Sequence, residues 1–177
     1  SDKKYLKNIL NVLRKYKIQL ISSGGTYKEI KKLKFKCLEV SEYTNSPEIL
    51  DGRVKTLHPK IHAGILSKRN NKFHINDLKN NNFEEIDLVI VNFYPFEKIL
   101  EKSTNHVKII ENIDIGGPTM VRAAAKNYKD VTVISSPEQY DQLIYEINKH
   151  KGSTSLEFRE KMSLEAFSET AYYDAVI

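Results

Sequence analysis

The sequence predicts an α/β fold: a mostly parallel sheet flanked by helices on both faces. Three observations predict it. Short β-branched runs alternate with helical stretches along most of the chain. One run, Leu88–Asn92 (LVIVN), is continuously apolar, as a strand buried on both faces would be. The glycine- and proline-bearing turns fall where strands give way to helices, and that edge is where parallel sheets bind ligands.

The elements follow in order. Tyr5–Lys15 reads as a helix with Leu6, Ile9, Leu10 and Leu13 on one face. Ile18–Ser22 is a short apolar strand, Ser23-Gly24-Gly25-Thr26 a turn, Tyr27–Leu33 a helix and Phe35–Val40 a second strand. The segment Asp51–Gly64 reads as a loop, and Asn70–Asn82 as a polar linker. After the Leu88–Asn92 strand come a helix near Val107–Asn112 and another from Thr119 to Lys126. Val131–Ser135 is a strand, and Pro137–Lys149 a helix with proline in its first turn. Ser155–Ile177 reads as an amphipathic helix through Phe158, Met162, Ala166 and Phe167. A strand would ordinarily precede the first helix, and the last helix has no stop signal. The expectation is therefore one domain, residues 1–177, cut at both ends from a longer protein.

Composition narrows the function. With 177 residues, 40% of them apolar and 29% charged, the chain can bury a core of its own. No apolar run approaches the roughly 20 residues of a membrane span, and no secretory signal opens the chain. The single cysteine, Cys37, fits a reducing cytoplasm. The net charge is +5, but the lysines are spread along the chain without an aromatic RNA-binding motif or zinc spacing. Nucleic acid is therefore not the expected partner.

The chain is organised around Asp51–Gly64 (DGRVKTLHPKIHAG), which packs Arg53, Lys55, His58, Lys60 and His62 among Gly52, Pro59 and Gly64. So many cations on an irregular segment point to an anion, most simply a phosphate. Ser22-Ser23-Gly24-Gly25-Thr26 follows a strand and opens a helix, so its amides and hydroxyls face the same kind of ligand. Lys3 stands at the same sheet edge. Ile113–Pro118 repeats the pattern with an acid, Asp114, ahead of a glycine pair, where an aspartate otherwise serves as a helix cap. Tyr94 follows a buried strand and puts its hydroxyl at the working edge. Lys126 ends a helix, where it also complements the dipole. His58 and His62 are four apart, but Pro59 between them and the lack of a third ligand argue against a metal.

In order and spacing, Ser22–Thr26, Asp51–Gly64, Asn92–Phe96, Ile113–Gly117 and Arg122–Asn127 (RAAAKN) resemble one family. It is the N-terminal IMP cyclohydrolase domain of the bifunctional AICAR transformylase/IMP cyclohydrolase. The resemblance implies a methylglyoxal-synthase-like fold, a homodimer, and no cofactor or metal. It also implies formyl-AICAR as substrate, IMP as product, and a folate-dependent transformylase domain covalently following. It places catalysis at Lys55, Tyr94, Asp114 and Lys126. Phosphate binding falls to Lys3, Ser23, Gly24, Gly25, Thr26, Arg53 and Thr56, and the base or ribose to Asn92, Ile115 and Gly116.

Three departures from that family are visible. Its first strand and the serine after it are missing ahead of Ser1, its transformylase domain is absent, and Glu169-Thr170-Ala171 replaces a usual His-Thr-Ala. Two alternatives remain at this point. A methylglyoxal synthase would share the fold but should lack RVKTLHP and RAAAKN. A nucleotide-sensing module would leave the four catalytic positions without a common purpose.

Overall fold

A computed structural model describes residues 5–93 and 96–177. Helix α1 (Leu6–Lys15) leads to β1 (Ile21–Ser22), α2 (Gly24–Lys32), β2 (Leu38–Glu39) and α3 (Val40–Thr44). A 3-10 turn at Leu50–Gly52 precedes α4 (Pro59–Leu66), α5 (Lys72–Asn80) and β3 (Leu88–Ile90). Then come α6 (Phe96–Lys102), α7 (His106–Glu111), α8 (Gly116–Lys126) and β4 (Thr132–Ile134). A second 3-10 turn, Pro137–Gln139, opens α9 (Tyr140–Lys149), and α10 (Leu156–Val176) closes the described chain.

The core is built on α8. Val121, Ala124 and Ala125 are fully buried, and their small side chains let α4 and α10 approach closely. Met162 and Ala166 of α10, Ile61 and Ile65 of α4, and Val131, Val133 and Ile134 beside them complete the cluster. Polar groups lock the same contacts. Asn127 donates to the carbonyls of Ile65 at 2.8 Å and Ser67 at 3.0 Å, satisfying acceptors that the end of α4 leaves open. The Ser163 hydroxyl donates to the Ala125 carbonyl at 2.8 Å.

The strands pair in parallel, as expected, but among the described residues they form two pairs. Ile21 faces Leu38 in one, and Leu88, Val89 and Ile90 face Thr132, Val133 and Ile134 in the other. A cavity of about 1260 Å³ is lined by β1, by β3 and Thr132 of β4, and by Leu6, Ile9, Leu10 and Leu13 of α1. Burial of β3 differs from the sequence expectation. β3 is not buried on both faces: Val89 is buried, whereas Leu88 and Ile90 are half-buried. The strands are correspondingly short: β1 begins only at Ile21, although the Leu20 carbonyl still accepts from the Leu38 amide at 2.8 Å.

Four other segments also differ from the sequence expectation. The second half of Asp51–Gly64 is helical: His58 caps α4, its Nδ1 accepting from the Lys60 amide at 3.1 Å, and Pro59 occupies the first turn. The supposed linker 70–82 contains α5, capped by Asn71, whose side chain accepts from the Phe73 amide at 2.9 Å. Leu78 is its one buried residue, so an apolar stripe is hardly visible in its sequence. Gly24 and Gly25, read as a turn, are the first residues of α2. In α10, Phe167 is 38% exposed while Thr170 and Tyr173 are buried, so its inner face is more polar than the apolar pattern predicts.

Candidate functional site

The basic segment is a tight hairpin. Ile49 and Val54 form an antiparallel bridge, and Leu50, Asp51 and Gly52 all have left-handed φ values (54°, 53° and 89°). Two non-glycine residues in that conformation represent stored strain, which proteins concentrate at functional positions. The turn delivers Arg53, Lys55 and Thr56 to the cavity wall.

Helix α2 supplies a second wall. Ser23 and Thr26 line the cavity, and Ser23, at the cap position, makes no side-chain cap bond. No side chain caps the first amides of α2, which carry the positive end of the helix dipole. Gly24 has φ +55°, and Lys55 Nζ lies 3.9 Å from where its Cβ would stand, so the ammonium sits over the start of this helix.

The start of α8 supplies the third wall. Asp114 Oδ1 accepts from the Gly117 amide at 3.0 Å, the capping role expected of an aspartate there. A Cβ on Gly117 would stand 2.3 Å from Oδ2, so glycine is what gives the carboxylate its place. The Asp114 amide in turn donates to the Tyr173 hydroxyl at 2.8 Å, and the Tyr173 ring packs 5.2 Å from that of Phe93. Burial first, with the Asp114 charge adding to it, pushes the Tyr173 phenol above its ordinary pKa, although its bond from the Asp114 amide pulls the other way. Asp114, Ile115 and Gly116 all line the cavity, as does Asn92, whose side-chain amide donates to the Tyr140 hydroxyl at 2.9 Å.

The structure therefore brings Ser23, Thr26, Arg53, Lys55, Thr56, Asn92, Asp114, Ile115 and Gly116 to one cavity, with Gly24 and Gly25 in the adjoining first turn of α2. Lys3 and Tyr94 lie outside the described residues. Lys126 is not brought in. It is exposed at the last position of α8, ten residues and roughly 15 Å along the axis from Gly116. Among the described residues, no group of three or more His, Cys, Asp or Glu is placed to hold a metal ion. No described helix is long and apolar enough to cross a membrane.

A family model described as "MGS-like domain" matches residues 6–119. The chain belongs to that family. A second model, "AICARFT/IMPCHase bienzyme", matches residues 124–177 of this MGS-like chain. The chain is 50% identical over 177 residues to the "Bifunctional purine biosynthesis protein PurH" of Persephonella marina, covering 100% of this chain and 34% of that protein. It is 50% identical over 167 residues to the protein of the same name from Rippkaea orientalis, covering 94% and 32%. The MGS-like chain thus spans about a third of the length of the curated relatives it matches. A solved structure, "Crystal structure of ForH", superposes with a TM-score of 0.87 at 27% identity, covering 99% of this chain and 92% of that one. These matches bear out the methylglyoxal-synthase-like α/β fold and the resemblance carried by the motifs.

Sequence reasoning missed the residues that hold this site together. Arg53 is gripped through Nη2 and Nε by Glu111, at the end of α7. That bond and the carboxylate's charge keep the guanidinium still more firmly protonated. Lys55 donates to Glu48 at 3.2 Å. Neither carboxylate carries a local signal, because both sit on exposed stretches that read as solvated surface.

Proposed function

We propose that this chain is an IMP cyclohydrolase domain, closing the purine ring of formyl-AICAR to give IMP and water. What carries the reading is the meeting of the basic hairpin, the open start of α2 and the Asp114 turn around one cavity. The names of the relatives and of the second family model support the same pathway. Arg53 and Thr56 of the hairpin and the start of α2 suit the phosphate of a nucleotide, and the third wall presents a carboxylate to its base.

In the reaction the carboxamide nitrogen attacks the formyl carbon, forming the new C–N bond. The formyl oxygen becomes the hydroxyl of a carbinolamine and then leaves as water. Holding a weakly nucleophilic amide against the carbonyl supplies much of the acceleration. Lys55, over the start of α2, is the donor for the oxygen as negative charge develops there. Tyr94 is proposed to share that duty and to shuttle protons. Asp114, with Oδ1 held by the Gly117 amide, offers Oδ2 to take the amide proton. Lys126 lies off this cavity, so it joins the reaction only from the second copy of the homodimer that the resemblance implies. In that reading the chain is one domain of a longer cytoplasmic protein, followed by a transformylase domain. The test is the ultraviolet absorbance change as purified chain meets formyl-AICAR. Enzyme-dependent closure to IMP supports the reading, whereas a folded chain that binds IMP without turnover contradicts it.

A further inference from the structure

The hairpin carries an acid to which the reaction assigns no task. The Ile49–Val54 bridge sets a register in which Glu48 stands opposite Lys55, and Lys55 Nζ lies 3.2 Å from Glu48 Oε1. Gly52 makes room for the pair, and Gly24 lies beside it. A Cβ on Gly52 would meet Glu48 Oε1 at 2.3 Å and Lys55 Nζ at 3.2 Å, and one on Gly24 would stand 3.9 Å from the same nitrogen. Gly52 also has φ +89°, a conformation that a side chain disfavours. The ammonium is therefore held over the first residue of α2, beside the positive end of that helix. Left alone it would not stay there: the dipole repels it, and a four-carbon stem gains entropy by roaming. Glu48 supplies the attraction that offsets both.

We propose that Glu48 is a positioning residue, fixing the Lys55 ammonium for ring closure and acting only through Lys55. The proposal rests on the cyclohydrolase reading above. A donor stabilises developing charge only if it already points where that charge appears, and a displacement of about 1 Å can cost a hundredfold in rate. The pair is half-exposed, with 32% of the Lys55 side chain and 46% of the Glu48 side chain accessible, so it adds little to folding. Its effect falls on turnover.

The experiment compares kcat and KM for formyl-AICAR closure by the full chain, Glu48→Gln, Lys55→Met and the double variant, with Tm and IMP Kd measured alongside. Glu48→Gln should lower kcat about tenfold and leave KM, Kd and Tm nearly unchanged, the signature of a lost transition-state interaction. Lys55→Met should lower kcat at least about a hundredfold, and the double variant should be no slower than Lys55→Met alone. Wild-type kcat in Glu48→Gln beside an inactive Lys55→Met would overturn the proposal and spare the cyclohydrolase reading. A double variant about tenfold slower than Lys55→Met would also overturn it, because Glu48 would then act independently. Undiminished turnover in Lys55→Met would remove the role of Lys55 and the proposal with it.

Discussion

Thr56 Oγ1 lies 2.5 Å from where a Cβ on Gly116 would stand, so the basic segment and the start of α8 meet with no room between them. The two residues belong to different walls of the cavity, and their contact fixes its width. Threonine is β-branched and stiff at χ1, so it cannot simply swing aside.

Gly116→Ala should therefore force the walls apart although alanine favours a helix. Overpacking of about 1–3 kcal/mol corresponds to roughly tenfold weaker IMP binding. Isothermal titration with IMP checks this, and unchanged affinity would mean that the contact does not set the site's width.

Glu111 occupies the Nη2 and Nε edge of Arg53 and so competes with a phosphate for the guanidinium. Glu111→Gln weakens that competitor and removes a negative charge beside an anionic ligand. IMP binding should tighten about two- to fivefold, as an exposed ion pair allows, with a larger gain at low salt. Weaker binding would instead make Glu111 part of the binding surface.

Glu146 gives the fold a pH-dependent element away from the site. Burial opposes its ionisation, but bonds from the Ser155 amide (3.1 Å) and hydroxyl (3.0 Å), with the charges of His150 and Lys149, more than compensate. Its carboxyl is held below the ordinary value, so it contributes stability above the unfolded pKa and loses it as pH falls through the folded one. Glu146→Gln should cost about 1 kcal/mol in urea unfolding at pH 7. The difference should shrink as the pH drops below the usual carboxylate range, and a cost that does not depend on pH would contradict the assignment.

Lys126 is exposed at the opposite end of α8 from Gly116 and does not line the cavity, so a catalytic Lys126 must serve a neighbouring copy. Mixing Lys55→Ala with Lys126→Ala, each inactive alone, should then restore closure as dimers exchange, because mixed dimers regain one intact site. Activity in Lys126→Ala alone would remove this lysine from the mechanism.

How much was legible follows from where each signal resides. Val131–Ser135 and Leu88–Asn92 could be found because β-branched runs mark strands whatever surrounds them. Their shortened ends could not, since these depend on the cavity between the strand pairs. Helix α5 was hidden because its single buried residue, Leu78, leaves no periodic stripe. The start of α4 was hidden by a proline and a histidine that look like loop residues and act as caps. At the site, the motifs named the walls, because glycines, cations and Asp114 sit in short contiguous stretches. The partners Glu111 and Tyr173 lie 58 and 59 residues from the groups they hold, and such contacts leave no trace in local spacing. Glu48 is nearer, but its pairing with Lys55 depends on a turn with three left-handed residues, two of them not glycine.

The most direct measurement is the rate of formyl-AICAR closure, followed by ultraviolet absorbance, for the chain and its Lys55→Ala variant at matched IMP affinity. The account predicts enzyme-dependent closure that falls at least about a hundredfold in the variant, in keeping with the loss of a donor aimed at the developing charge. Equal rates, or no closure by a folded chain that still binds IMP, would contradict it.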